Sequence, residues 1–172
     1  MIQYRAPRVE EAAALATLGR DSFVETFGHL YTPEDLNAFL ADTYAPDVVA
    51  AQIASPRYIF RVAQENGKLV GYCKLGLDVS LDYDPEGRRV VELKQLYLMA
   101  THQGVGVAQQ LMDWSIAEAE AHDADEMILS VWAENTRAQR FYHRYGFEWI
   151  ADTYFMVGSH RDDEFLYRRK MR

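Results

Sequence analysis

The spacing of apolar residues divides the chain into a helical first part and a second part in which strands and helices alternate. Ala and Leu recur through residues 9–20 and predict a first helix. Thr32, followed by Pro33 and two acids, marks a second helix start, because Thr can cap free N–H groups and Pro suits the first helical position. Pro46 opens a third helix that we expect to end before Ser55.

The pattern then becomes strand-like. Residues 58–64 and 68–77 are largely apolar and flank Asn66-Gly67, a pair that favours a tight hairpin. The polar residues 78–89 predict a loop, and residues 90–98 predict a central strand. The other predicted elements are an opening strand at 2–6, a long helix from 108, a buried strand at 127–131, a helix begun by Asn135 and a closing antiparallel pair at 147–157 and 164–170. This order predicts one α/β domain over residues 1–172, with a central mixed sheet and helices on both faces.

Composition narrows the class of protein. With 172 residues, 49% of them hydrophobic, the chain can bury a core without disulfides or metals, and Cys73 is its one cysteine. We interpret Cys73 as a buried, inert thiol that suits a reducing cytoplasm. No apolar run approaches the roughly 18 residues needed to cross a bilayer, and the N-terminus lacks the pattern of a signal peptide. We therefore expect a cytoplasmic protein that does not enter a membrane.

Charge points away from nucleic acid. Acidic residues outnumber basic ones 26 to 18, for a formal charge of −8, whereas nucleic-acid binding depends on clustered Lys and Arg. The excess of acid leaves room for a small cationic substrate, although it also simply favours solubility. The five histidines have no partners at metal-ligand spacing, so we predict no metal site.

A glycine-rich turn after the central strand is the first candidate for chemistry. A strand, a turn containing Gly104 and Gly106, and then a helix would direct free backbone N–H groups at a phosphate. A Walker A loop is excluded because it needs Gly-Lys-Ser/Thr. A dinucleotide fingerprint would need a small residue where Gln109 stands. By itself, the Gly-x-Gly pair also fits a plain strand-to-helix turn.

Two longer motifs, one containing this turn, resemble those of a known family. Gln103-Gly104-Val105-Gly106-Val107-Ala108 resembles the Gln/Arg-x-x-Gly-x-Gly/Ala signature of the GNAT acetyltransferase superfamily, and Leu96-Tyr97-Leu98 resembles that family's splayed fourth strand. Residues 135–147 resemble its Asn-x-x-Ala-x-x-Phe-Tyr-x-x-x-Gly-Phe pattern at every specified position. The resemblance implies the α+β GNAT fold, with a mixed, mostly antiparallel sheet, and acetyl-CoA as the acyl donor. The cofactor-binding residues it implies are Leu96, Tyr97, Leu98, Gln103, Gly104, Val105, Gly106, Val107, Ala108, Asn135 and Tyr142.

The same resemblance suggests catalytic roles. The main-chain N–H of Leu98 would meet the thioester carbonyl, and the Tyr142 phenol would protonate the departing thiolate. Glu92, on the central strand, stands where some GNAT enzymes carry a general base. Each side chain also has a purely structural interpretation: Tyr142 as a core aromatic on an amphipathic helix, and Glu92 as a strand carboxylate paired with Lys94 or an arginine. Arg137, Arg140 and Arg144 form a solvated helix face or meet the adenosine phosphate.

A looser resemblance concerns the acceptor. Thr26-Phe27 and residues 32–36, 131–135 and 153–158 resemble PaiA-type polyamine acetyltransferases, which implies a primary amine acceptor such as spermidine. Two alternatives remain open at this point: a protein N-terminus or lysine as acceptor, and a non-catalytic acyl-CoA-binding sensor. A homodimer is also left open. If a polyamine is the acceptor, we expect its ammonium groups to be drawn to acids of the helical part and the polar loop, namely Glu25, Glu34, Asp35, Asp82 and Asp84.

Overall fold

A computed structural model describes residues 1–171, and within them five α-helices combine with seven strands. The helices are α1 (Ala12–Phe27), α2 (Pro33–Thr43), α3 (Pro46–Ala54), α4 (Val107–Ala121) and α5 (Thr136–Arg144). The strands are β1 (Gln3–Arg5), β2 (Tyr58–Glu65), β3 (Lys68–Gly76), β4 (Val90–Leu98), β5 (Glu126–Trp132), β6 (Glu148–Val157) and β7 (His160–Lys170).

The strands form one sheet in the order β1-β2-β3-β4-β5-β7-β6. Five neighbouring pairs run antiparallel, and β4 and β5 run parallel across the crossover that contains α4. The predicted mixed, mostly antiparallel sheet is therefore confirmed.

The parallel pair is short, and this creates the main irregularity of the sheet. Only Val90–Glu92 of β4 is in register with β5, opposite residues 126–128. Beyond Glu92, β4 continues along β3, whereas β5 continues along β7. The two strands separate, and a gap opens in the middle of the sheet.

Helices cover both faces, as the sequence predicts. The apolar side of α4, including the fully buried Leu111 and Met112, packs on sheet residues such as Leu75 and Met127. The opposite face is covered by α1 and α3, which pack against Val62 and other residues of β2 and β3. No helix among residues 1–171 is long and apolar enough to cross a membrane.

Several local predictions are confirmed. Thr32 Oγ1 accepts a hydrogen bond from the Asp35 N–H at 3.2 Å and caps α2. Asn66 and Gly67 have φ angles of 50° and 79°, as the two central residues of a tight hairpin turn require. Cys73 is completely buried, and burial raises the pKa of its thiol, so it is not a ready nucleophile.

Two boundaries differ from the predictions by four residues or more. Helix α1 runs to Phe27 rather than residue 20, because Ser22 and Phe23 continue its buried side. Strand β7 begins at His160 rather than residue 164. Residues 161–163 are all charged and suggest a loop, but only Asp162 faces inward, so strand alternation continues through them.

Candidate active site

A cavity of about 870 Å³ follows the gap between β4 and β5 and has two chemically different ends. We call one the glycine end; it is lined by Gln103, Gly104, Ala108, Gln109 and the arginines of α5. We call the other the aromatic end, and its rings are Phe23, Phe27, Tyr31, Phe39, Tyr44, Trp132 and Phe155. Leu96, Tyr97, Leu98 and Tyr142 also line the cavity.

The glycine end is built from backbone. Gly104 and Gly106 have φ angles of 76° and 92°, and Gly106 is the N-cap of α4. A Cβ built on either glycine would meet no atom within 4 Å, so the space beside the turn is open. The first N–H groups of α4 have no partner within the helix, and the helix dipole is positive there. Open space beside such donors fits a phosphate group.

Side chains of α5 border this open space. Arg137 donates to Gln103 Oε1 at 2.8 Å, and Arg140 and Arg144 also line the cavity. The three arginines lie on the side of α5 that borders the glycine end, and all three remain exposed. The two valines of this segment differ in exposure: Val105 is 63% exposed, whereas the Val107 side chain is buried in the core.

The edge of β4 supplies N–H donors to the gap. The Met99 N–H bonds to Val70 O, and Leu98 pairs with Gly71 and Tyr97 with Tyr72. In an antiparallel ladder alternate residues donate to the same neighbour, so the N–H groups of Leu96 and Leu98 face away from β3. They therefore point into the gap towards β5.

Tyr142 is held at the cavity wall by packing. Its ring makes edge contacts with Phe141 at 5.5 Å and Phe147 at 5.9 Å between centroids. Helix α5, which carries it, begins at Asn135, whose Oδ1 accepts from the Ala138 N–H at 3.1 Å. Burial raises the pKa of the Tyr142 phenol, so the hydroxyl keeps its proton at neutral pH. The structure thus brings Asn135 and Tyr142 together with the loop and β4.

Glu92 is placed differently. Its carboxylate is buried and accepts hydrogen bonds from the Ser80 N–H at 2.8 Å, the Ser80 hydroxyl at 2.9 Å and Lys94 Nζ at 3.1 Å. Ser80 belongs to the loop over residues 78–89, which covers the carboxylate. These contacts agree with the interpretation of Glu92 as a strand carboxylate paired with Lys94, and its role as general base stays a prediction.

Two other carboxylates line the aromatic end. Asp162 and Glu164 lie two residues apart on β7 and so face the same side of the sheet. Asp162 accepts from the Tyr31 hydroxyl and, at 3.0 Å, from His160 Nε2. Glu164 pairs across the strands with Trp132. Burial raises the pKa of the Glu164 carboxyl, and the nearby Asp162 charge adds to this, against a hydrogen bond from Ser130.

Neither of these acids was expected from the sequence. Glu25, Glu34, Asp35, Asp82 and Asp84, the acids proposed there for ammonium groups, lie outside the set of residues that line the cavity. A usable signal was the spacing of Asp162 and Glu164, which continues the inward alternation of Leu166 along one strand.

Comparison with known proteins agrees with this geometry. The family described as Acetyltransferase (GNAT) matches residues 19–147. An uncharacterised N-acetyltransferase from the pepI 3′ region of Lactobacillus delbrueckii subsp. lactis is 29% identical over 156 residues, 90% of this chain and 88% of that protein. An uncharacterised N-acetyltransferase of Mycobacterium tuberculosis is 29% identical over 163 residues, 94% of this chain and 98% of that protein. The solved PaiA N-acetyltransferase of Thermoplasma acidophilum, in complex with coenzyme A, shares the fold with a TM-score of 0.80 at 20% identity, over 99% of both chains.

Proposed function

Because the chain belongs to the GNAT family of acetyltransferases, we propose that it transfers the acetyl group of acetyl-CoA to a cationic primary amine such as spermidine. The observation that carries this proposal is the joining of two unlike ends in one cavity. The glycine end fits a pyrophosphate, and the aromatic end combines apolar rings with carboxylates. A donor and an amine can therefore meet beside the gap in the sheet.

Acetyl-CoA is the donor, and the glycine end would hold its pyrophosphate on the N–H groups of α4. The Leu98 N–H, which faces the gap, would donate a hydrogen bond to the thioester carbonyl oxygen and stabilise negative charge on that oxygen. Asn135 would reach the pantetheine amide while it caps α5. Tyr142 would donate its proton to the departing sulfur, because its phenol is neutral and is held in place by packing.

The aromatic end suggests which amines fit. Aromatic faces attract cations, and Asp162 and Glu164 supply negative charge beside them. Within residues 1–171, the cations that line the cavity are Lys94 and the three arginines of α5, and Lys94 Nζ is already bonded to Glu92 and Ser80. An acceptor with its own carboxylate would therefore meet like charge. This favours polyamines over amino acids.

Paired substrates provide the test. Coenzyme A release would be measured with putrescine against ornithine and with cadaverine against lysine, since each pair differs by one carboxylate. We expect the diamines to have kcat/KM at least about 10-fold higher, equivalent to ~1.4 kcal/mol. Spermidine, spermine, aminoglycosides and peptides complete the panel. Preference for a peptide N-terminus would favour the protein acetyltransferase alternative, and no release with any amine would favour the sensor.

A further inference from the structure

We propose that Glu164, rather than Glu92, accepts the proton that the acceptor ammonium must lose before it can attack. This inference rests on the proposed function, since it assigns a role within the same acetyl transfer. Two acidic side chains of the same sheet differ in their surroundings. Glu164 lines the aromatic end of the cavity, whereas Glu92 lies beneath the loop over residues 78–89.

The position of Glu164 suits a proton acceptor. It lies opposite Trp132, the last residue of β5, where β5 has already separated from β4. An ammonium attracted to the Trp132 ring would therefore lie next to this carboxylate and beside the gap where the Leu98 N–H points. Glu164 is only partly buried, so water can carry the accepted proton to solvent.

Its neighbour Asp162 has another task. Both oxygens of Asp162 accept hydrogen bonds, one from the Tyr31 hydroxyl and one from His160, and the side chain is 6% exposed. These contacts hold Asp162 as a fixed negative charge. That charge favours a cation at the aromatic end, and it makes Glu164 a better proton acceptor by opposing a second negative charge nearby.

Glu92 is less accessible to a substrate than Glu164. Its oxygens accept from the Ser80 N–H and hydroxyl and from Lys94 Nζ, so a substrate ammonium would have to displace the loop to reach it. The adjacent Lys94 ammonium also forms an ion pair with this carboxylate at 3.1 Å and occupies one of its oxygens.

The proton steps balance with Glu164 in this role. The ammonium gives one proton to Glu164, and the freed lone pair of nitrogen forms the C–N bond to the acetyl carbon. The C–S bond breaks as Tyr142 donates its proton to sulfur. The second nitrogen proton returns to the Tyr142 oxygen through water, and Glu164 releases its proton to solvent. The products are an N-acetylamine, free coenzyme A and one proton.

The test compares Glu164→Gln with Asp163→Asn over a range of pH. Asp163 is the neighbouring acid on β7, its side chain is 77% exposed, and it pairs with Arg161 on the solvent side. We expect Glu164→Gln to lose about 10²-fold in kcat with the best amine at neutral pH, within the range of general base catalysis. Asp163→Asn should keep wild-type rates. Calorimetric titration of coenzyme A should give wild-type affinity for both variants.

The pH profile separates a base from a mere binding group. The wild-type kcat/KM should fall as pH drops through the pKa of Glu164, and Glu164→Gln should lack this limb. Its rate should instead climb about tenfold per pH unit until the amine itself deprotonates near pH 10. Asp162→Asn should move the wild-type limb to lower pH, because removal of the neighbouring negative charge lowers the pKa of Glu164. Other groups that face Glu164 are Ser130, Tyr31 and Tyr97, with His160 behind Asp162.

Several outcomes would overturn the inference. One is a Glu164→Gln variant with wild-type kcat and an unchanged acid limb, and another is a rise in KM alone, which would mark Glu164 as a binding group. If Glu92→Gln lost the acid limb and Glu164→Gln kept it, Glu92 would be the general base instead. A wild-type enzyme that binds coenzyme A but acetylates no amine would sink the proposed function as well. If Glu164→Gln unfolds, Glu164→Asp should fold and retain the acid limb at a reduced rate.

Discussion

The two ends of the cavity are made in different ways. The glycine end comes from one continuous segment, in which a strand, a turn and a helix present main-chain groups. The aromatic end is assembled from side chains of α1, α2, β5, β6 and β7, which lie far apart along the chain. Backbone N–H groups suit an acyl donor that many enzymes share. Side chains, in contrast, can change with each amine acceptor. The comparison therefore predicts that mutations at one end affect one substrate and leave the other unaffected.

The largest effect is expected where the two ends meet. Tyr142→Phe removes one oxygen and keeps the ring, so it should fold and bind coenzyme A normally. It should lose about 10²-fold in kcat, or about 2.7 kcal/mol of transition-state stabilisation. The loss should appear at saturating substrate and in single-turnover kinetics, which avoid a limit set by product release.

A matched control lies one turn away. Tyr145 is the C-cap of the same helix and contacts Phe141, but it lies outside the set of residues that line the cavity. Tyr145→Phe should therefore leave kcat within about twofold, since changes away from the reacting groups have small effects. An unchanged single-turnover rate in Tyr142→Phe would refute the assigned role of its hydroxyl.

A medium effect is expected at the glycine end. Gly106→Ala places a methyl group in the open space beside the helix start and should weaken coenzyme A binding about 10-fold, or ~1.4 kcal/mol. The positive φ of 92° also adds strain of about 1–2 kcal/mol. Gly67→Ala, at a φ of 79° in the β2–β3 hairpin, carries the same strain far from the cavity.

The two glycine variants should thus lose similar thermal stability, while only Gly106→Ala loses affinity in calorimetric titration. If both variants bound coenzyme A with equal affinity, the pyrophosphate would not lie at the turn that contains Gly106. The KM for the amine should not change in either variant, which tests the independence of the two ends.

The smallest effect is expected at the aromatic end. Trp132→Leu removes a ring that contacts Phe27 at 5.7 Å between centroids and should raise the KM for a cationic amine about fivefold, the size of one cation–π contact. Affinity for coenzyme A should stay at the wild-type value. The control is Trp149→Leu, because Trp149 is 51% exposed on β6 and packs against Phe165. If the two variants had equal KM values for the amine, Trp132 would not be part of the acceptor site.

The same contrast explains what could be predicted from sequence. The hairpin at Asn66-Gly67, the caps at Thr32 and Asn135, and the turn at Gly104 are local, so their residues carry their own signal. The mixed, mostly antiparallel sheet with helices on both faces also followed from the pattern of elements and the family motifs.

Residues brought together over long distances were harder to predict. Asp162 became part of the site through Tyr31, 131 positions away, and no local pattern reports that contact. The run of charges at 161–163 interrupts the apolar pattern and concealed the start of β7. Glu92 has the residue type and strand position of a base, but its environment is decided by Ser80, which belongs to a loop whose path the sequence does not reveal.

The short pairing of β4 with β5 has a consequence for folding as well as for binding. Three paired residues, with the Asp125 and Glu126 N–H groups bonded to Arg89 O just before them, link the β1–β4 half of the sheet to the β5–β7 half. A donor lying in the gap would bond to one half through the Leu98 N–H and to the other through α5, which follows β5. The donor would then bridge the two halves at the gap, as a strand would. As the concentration of the donor rises, the two halves would unfold together more cooperatively.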